Sequence, residues 1–142
     1  MPKETVVILD PELNTRWPLK TFSENGDYNA LPANTAKEAR KKISEFEVVG
    51  LITEYGINHS SALEIVREFR QSFPEAYVML LTNGEITESE YEEIIEAGVD
   101  DIFLKPFPVK KILLHLRKGL KQRQNLFLKR RLADELKRVH PS

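Results

Sequence analysis

Thr5-Val-Val-Ile-Leu-Asp-Pro-Glu12 is a run of apolar, mostly β-branched residues that stops at an aspartate and a proline. Val48-Val-Gly-Leu-Ile-Thr53 and Tyr77-Val-Met-Leu-Leu-Thr82 repeat the design, and Tyr28 to Leu31 and Ile102 to Leu104 are weaker versions of it. An unbroken apolar run, without in-and-out alternation, is what a parallel strand covered on both faces looks like.

Helical patterns fill the gaps between these runs. Thr35-Ala-Lys-Glu38, Ser61-Ala-Leu-Glu64 and Thr87-Glu-Ser-Glu90 each read as a capping box, a hydroxyl and a carboxylate satisfying the exposed amides of a helix start. Apolar stripes follow at helical spacing: Ala36, Ala39, Ile43 and Phe46; then Ala62, Val66, Phe69 and Phe73; then Tyr91, Ile94 and Ile95. Pro74 and Gly98 are plausible stops. The segment from Asp10 to Tyr28 is expected to be helical too, with Leu13, Trp17 and Phe22 inward and a late start or kink at Pro18. Strand followed by helix, five times over, predicts a five-stranded parallel sheet with helices on both faces.

Composition narrows the chemistry. A chain of 142 residues, 41% hydrophobic, is one domain of ordinary size, with no run near the ~20 apolar residues of a membrane span. The first residues show no charged-then-apolar signal pattern. The absence of cysteine excludes disulfides, zinc–thiolate sites and thiol catalysis and fits a cytoplasmic setting. His59, His115 and His140 are too scattered to suggest a metal cluster. The net charge of −1 hides a division: residues 1–109 carry ten Lys/Arg against twenty Asp/Glu, and residues 110–142 carry eleven against only Asp134 and Glu135. An acidic body joined to a basic tail speaks of partners rather than of fold.

Sites in open α/β sheets lie beyond the carboxyl ends of the strands, here Asp10, Glu54, Thr82 and Lys105. Leu9-Asp10-Pro11-Glu12, Ile52-Thr53-Glu54-Tyr55, Leu81-Thr82-Asn83-Gly84 and Leu104-Lys105-Pro106-Phe107 stand in order at these ends, with Ala97-Gly98-Val99-Asp100-Asp101 before the last strand. Over residues 4–121 the chain resembles the response-regulator receiver domains of the CheY-like superfamily. The resemblance implies a flavodoxin-like (βα)5 doubly wound sheet of order 2-1-3-4-5, a receiver-like domain over 1–121 and a basic C-terminal helical extension or linker over 122–142. It also implies a cis Lys105–Pro106 bond.

The departures from the family pattern are specific. Counting back from Leu63-Glu64-Ile65, the phosphoacceptor position falls on Glu54 instead of aspartate. The extra methylene would put its carboxylate about where a phosphoryl group sits, paired with Lys105 and accepting from Thr82. The plainer alternative is that glutamate is what drift left after phosphorylation was lost. Pro11 stands where the family has a second acid, usually a magnesium ligand, and offers no side-chain oxygen. Asp10 and the Gly56 carbonyl remain as vestigial ligands, with Glu12 as a substitute only by a shifted loop, so magnesium is expected to bind weakly or not at all. Ile102 occupies the switch-aromatic position, and Asn83 replaces a usually small residue beside the switch hydroxyl. Thr82 and Lys105 match the family, yet a threonine closing a strand is often structural, and a lysine between two acids relieves their crowding whatever the function.

From Pro108 onward the pattern is one long helix, with Ile112, Leu113, Leu116 and Leu120 inward. Leu126 and Phe127 follow, and Leu128, Leu132, Leu136 and Val139 form a second stripe past the family's normal end. The leading reading of that stripe is a dimer seam or the linker to an output domain. The others are docking on its own or a partner's acidic body, and binding of nucleic acid or a membrane surface through Lys129-Arg130-Arg131. The absence of a DNA-reading motif makes sequence-specific DNA binding unlikely.

The expected function is therefore that of a pseudo-receiver: a non-enzymatic two-component signalling module without cofactor. Its partners would be a histidine kinase or a downstream effector, and its output would pass through the family's fourth helix, fifth strand and fifth helix, where a homodimer is also possible. The alternative is a working receiver with non-standard phosphorylation or metal binding. A flavodoxin-like nucleotide or flavin binder is a minor alternative, because Asp10-Pro11-Glu12 has the wrong charge for a phosphate cradle.

Overall fold

The computed structural model describes residues 3–12, 19–20, 28–56 and 59–139. Within them β1 (Glu4–Leu9), β2 (Tyr28–Ala33), β3 (Val48–Glu54), β4 (Tyr77–Thr82) and β5 (Asp101–Leu104) form one sheet in the order β2-β1-β3-β4-β5. All neighbouring pairs are parallel. The helices α1 (Ala36–Glu45), α2 (His59–Ser72), α3 (Glu88–Ala97) and α4 (Val109–Val139) connect or follow the strands. This is the CheY-like, flavodoxin-like architecture expected, including the long C-terminal helix. The helix expected between Asp10 and Tyr28, with Leu13, Trp17, Pro18 and Phe22, lies outside the described residues, except that residues 19–20 are helical and Leu19 is buried. His140 lies outside them too.

The sheet is buried on both sides. Val7, Leu9, Leu51, Val78 and Leu80 face α1, α2 and α3, packing against Ala39, Val66, Phe69 and Ile94. Val6, Ile8, Ile52, Met79 and Leu81 face the other way, against Leu19 and Ile112, Leu116 and Leu120 of α4. Burial of each such aliphatic side chain stabilises the fold by about 1.5–3 kcal/mol before entropy is counted, which is why the unbroken apolar runs of β1, β3 and β4 are two-sided.

Local details differ from expectation in instructive ways. Thr87 and Glu90 form the full capping box of α3. Thr35 caps α1 by accepting from the Glu38 amide at 3.2 Å, but the Glu38 carboxylate accepts from Asn34, one residue earlier than a capping box requires. Helix α2 starts at His59, two residues before the expected start at Ser61. The expected stripe of α3 is also rotated: Ile94 and Ala97 are buried, whereas Tyr91 and Ile95 are exposed. Phe46 ends α1 instead of packing beneath it and is exposed as well.

Gly98 closes α3 in the left-handed conformation, φ 108°, which a side chain at this position would strain. Asp100 then accepts from the Val78 amide and from Arg70 of α2, both at 2.9 Å. Arg123 of α4 lies 3.6 Å from the same carboxylate and donates to the carbonyls of Ala76, at 3.1 Å, and Pro74. The two arginines thus tie α2 and α4 to the amino ends of β4 and β5. Helix α4 runs unbroken through this clamp and past the boundary expected at residue 121.

Candidate functional site

Strands β1 and β3 are neighbours, so Asp10, immediately after β1, and Glu54, ending β3, come side by side at the carboxyl edge. Lys105 follows β5 and reaches them across the end of β4. All three are sequestered: Asp10 and Glu54 are buried, and the Lys105 side chain is 8% exposed. Lys105 Nζ lies 2.8 Å from Asp10 Oδ2 and 2.6 Å from Glu54 Oε2. The second oxygens are used as well: Asp10 Oδ1 accepts from the Glu12 amide at 2.8 Å, and Glu54 Oε1 from the Gly56 amide at 2.9 Å. One ammonium thus bridges two buried carboxylates, each steadied by a backbone amide.

Burial alone would lower the Lys105 pKa, but hydrogen bonds and charge from Asp10 and Glu54 outweigh it and hold the ammonium above the ordinary value of 10.5. A folded-state value raised in this way gives stability that is complete below the unfolded value and lost as pH rises through the folded one. The stability gap between wild type and Lys105→Met should therefore stay level from neutral pH to about 10 and close above that. Urea titrations across a pH series measure it, and a gap already closing near neutrality would be inconsistent with the ion-paired lysine.

The remaining candidates meet the pocket unequally. Glu12 does turn inward, half-exposed, with Oε1 3.5 Å from Lys105 Nζ and accepting from Asn83 Nδ2 at 3.4 Å. Thr82 does not donate to Glu54 as expected. Its hydroxyl donates to the Gly84 carbonyl at 3.0 Å and lies 3.3 Å from the Gly84 amide, so the turn after β4 takes the hydroxyl for itself. Ile102 is half-buried on the α1–α3 side of the sheet, while Phe103 packs on the α4 side, its ring centroid 4.8 Å from that of His115. Lys105–Pro106 is cis, as expected. A residue the sequence reading passed over is Tyr55. It is buried beside Glu54 and donates to Glu90 of α3 at 3.0 Å. Burial, followed by the Glu90 contact, pushes its phenol up to about 12. A lone aromatic directly after an acid at a strand end was the available signal.

Magnesium needs several oxygens on one side of an octahedron. Here Asp10 and Glu54 present their oxygens to Lys105 and to backbone amides, Pro11 contributes none, and the ammonium stands between the carboxylates. Among the described residues no three or more His, Cys, Asp or Glu side chains are grouped to hold a metal ion. This donor set does not fit the metal that the family pattern implies.

An acid pair at β1 and β3, a threonine at β4 and a lysine with a cis proline after β5 form one constellation on a 2-1-3-4-5 sheet. The sequence profile of the response regulator receiver domain matches residues 6–117. The chain belongs to this family. The receiver is 28% identical over 123 residues to the aerobic respiration control protein ArcA of Escherichia coli K12, covering 85% of this chain and 50% of that one. It is 25% identical over 117 residues to the transcriptional regulatory protein ResD of Bacillus subtilis, covering 82% and 48%. The chain thus spans about half the length of the curated relatives it matches. Among solved structures, a CheY-like receiver domain protein from Methanospirillum hungatei JF-1 superposes with a TM-score of 0.78 at 18% identity, covering 87% of this chain and 98% of that one. A response regulator from Thermotoga maritima gives 0.74 at 23% identity, with 84% and 98% covered. These two establish the shared fold. Among the described residues, no helix of the receiver is long and apolar enough to cross a membrane.

Proposed function

We propose that this two-component receiver is a pseudo-receiver, a non-enzymatic module that signals by protein–protein contact with Glu54 standing in the place of an aspartyl phosphate. The observation that carries this reading is the double engagement of Glu54, with Lys105 at 2.6 Å on one oxygen and the Gly56 amide at 2.9 Å on the other. A pocket whose lysine is already paired has little left to offer an incoming phosphoryl group. No cofactor enters the reading, and the donor set argues against magnesium. Partners would be a histidine kinase or a downstream effector in the cytoplasm, meeting α3, β5 and the start of α4, the face that Tyr55 links to the pocket through Glu90.

The test is an amide NMR titration with magnesium and beryllofluoride, a phosphoryl mimic that needs both an acceptor aspartate and a metal. Wild type should show no saturable shifts around Glu54, Thr82 and Lys105. Glu54→Asp shortens the side chain by one methylene and separates the two defects. Recovery in that variant alone would mean that Pro11 is tolerated and glutamate closed the site; silence in both would mean that the metal ligands are also lost. Saturable shifts in wild type would overturn the pseudo-receiver reading. They would favour the alternative for which Glu12 is the supporting observation, a working receiver whose missing acid is replaced by this inward-turned carboxylate.

A further inference from the structure

Among the described residues, two surfaces of this receiver leave large apolar side chains uncovered. Helix α3 carries Glu88, Glu90, Glu92, Glu93 and Glu96 with no basic residue, and on its outer side Tyr91 and Ile95 are 53% and 47% exposed. The end of α4 is the opposite: from residue 121 onward it carries seven Lys/Arg against Asp134 and Glu135. There Leu128, Leu132, Leu136 and Val139 are 54% to 70% exposed. Large apolar side chains exposed among charges mainly of one sign mark a surface built to meet a partner.

Geometry forbids the two from meeting within one molecule. Helix α4 packs on the face of the sheet opposite to α3. It begins just beyond the carboxyl end of β5 and passes Arg123, which is tied to Pro74, Ala76 and Asp100 at the amino ends of β4 and β5. It then continues as unbroken helix with every residue from 124 to 139 exposed. A continuous helix leaving the far side of the sheet does not turn back onto α3.

We infer that the basic end of α4 docks on α3 of a second copy of this chain, in a two-fold exchange that makes the contact twice. The dimensions are comparable: Leu128 to Val139 spans about 18 Å of helix and α3 about 15 Å. Both apolar rows step by three or four residues, so they can pack ridge to groove. One contact of this length is small, and the exchange doubles it toward the ~1,600 Å² typical of a specific interface. Charge selects this arrangement over a seam between two α4 tails. Pairing tail with tail sets Lys129, Arg130 and Arg131 against a second basic helix, whereas pairing tail with α3 sets them against glutamates. The contact is independent of the chemistry assigned to Glu54.

Sedimentation equilibrium of the 142-residue chain tests it. Wild type should dimerise, and added salt should weaken the dimer by screening the opposed charges. Glu92→Lys/Glu96→Lys on α3 and Lys129→Glu/Arg131→Glu on α4 alter only exposed residues. Each pair of reversals should weaken self-association by about 100-fold or more, while a one-to-one mixture of the two variants should recover a dimer. A dimer that survives the α3 reversals would overturn the inference in favour of a tail-to-tail seam. A wild type that stays monomeric at sub-millimolar concentration would overturn it outright.

Discussion

Lys105→Met should destabilise the receiver by about 3–5 kcal/mol at neutral pH, enough to take a large share of an ordinary domain's total stability. Lys105 bridges two buried carboxylates, 2.8 Å from Asp10 and 2.6 Å from Glu54. Methionine fills much of the same volume, so the loss is of charge and not of packing. What remains is two acids held together away from water, with the half-exposed Glu12 adding a third. The size of the effect reflects stranded charge more than the intrinsic worth of the ion pairs, since a buried pair gives back in Coulomb energy much of what its desolvation costs. A double-mutant cycle separates the two. In the Lys105→Met background, Glu54→Gln removes one stranded charge and should recover part of the loss; in wild type the same change should destabilise. Chemical denaturation of the four proteins gives the coupling directly. Additive effects would mean that the pocket is solvated and that Lys105 does not bridge the acids.

How much of that pocket could be read from the sequence follows from how each residue is positioned. Asp10, Glu54 and Lys105 were legible because strand ends are set by apolar runs, and a parallel sheet brings consecutive strand ends to one edge. Their separation was also legible in kind: the longer side chain of glutamate was expected to reach Lys105, and it does. The partner of Thr82 was not. A hydroxyl two residues before a glycine has local carbonyls and amides to choose from, and which one wins depends on the turn, for which the sequence carries only a preference. The inward turn of Glu12 has only a weak signal in the sequence, since it requires a shifted loop after Pro11. Its carboxylate is drawn in by the charge of Lys105, which lies more than ninety residues away in the chain.

The helices show the same limit from another side. The spacing of Tyr91, Ile94 and Ile95 identifies a helix, but three apolar residues within one turn and a half leave its rotation about the axis loosely specified. The true inner face of α3 uses Ile94 with Ala97, a small residue that periodicity underweights. The clamp of Arg70, Arg123 and Asp100 was illegible for a plainer reason. Its members come from two helices and a loop, and an arginine on a surface helix gives no sign in the sequence that it will reach back to a carbonyl. That clamp ties α4 to the amino ends of β4 and β5, and with it sets where the basic stripe leaves the body.

Gly119→Ala should cost about 3 kcal/mol, although alanine is the better helix former by up to ~1 kcal/mol and a glycine inside a helix reads as a defect. Gly119 lies on the buried face of α4, one turn from Leu116 and next to Leu120. A Cβ built there would stand 2.2, 2.4 and 2.7 Å from three ring carbons of Tyr77. That ring has little freedom to move aside. It is 1% exposed at the start of β4, and its hydroxyl donates to Asp101 at 2.5 Å at the neighbouring edge of the sheet. Adding the methyl therefore pushes α4 off the sheet or breaks the Tyr77–Asp101 contact, and either disturbs Ile112, Leu116 and Leu120 together. A paired variant isolates the cause. Tyr77→Leu removes the ring at its own cost, and in that background Gly119→Ala should become neutral or stabilising, leaving only the helix preference. Gly84→Ala serves as the control, since a Cβ there meets no atom within 4 Å. Urea midpoints with unchanged slopes would read these differences as stability alone. If Gly119→Ala proved harmless in wild type, α4 would have to sit farther from β4 than the Tyr77 contact allows, and the course of its basic end past the amino edge of the sheet would need redrawing.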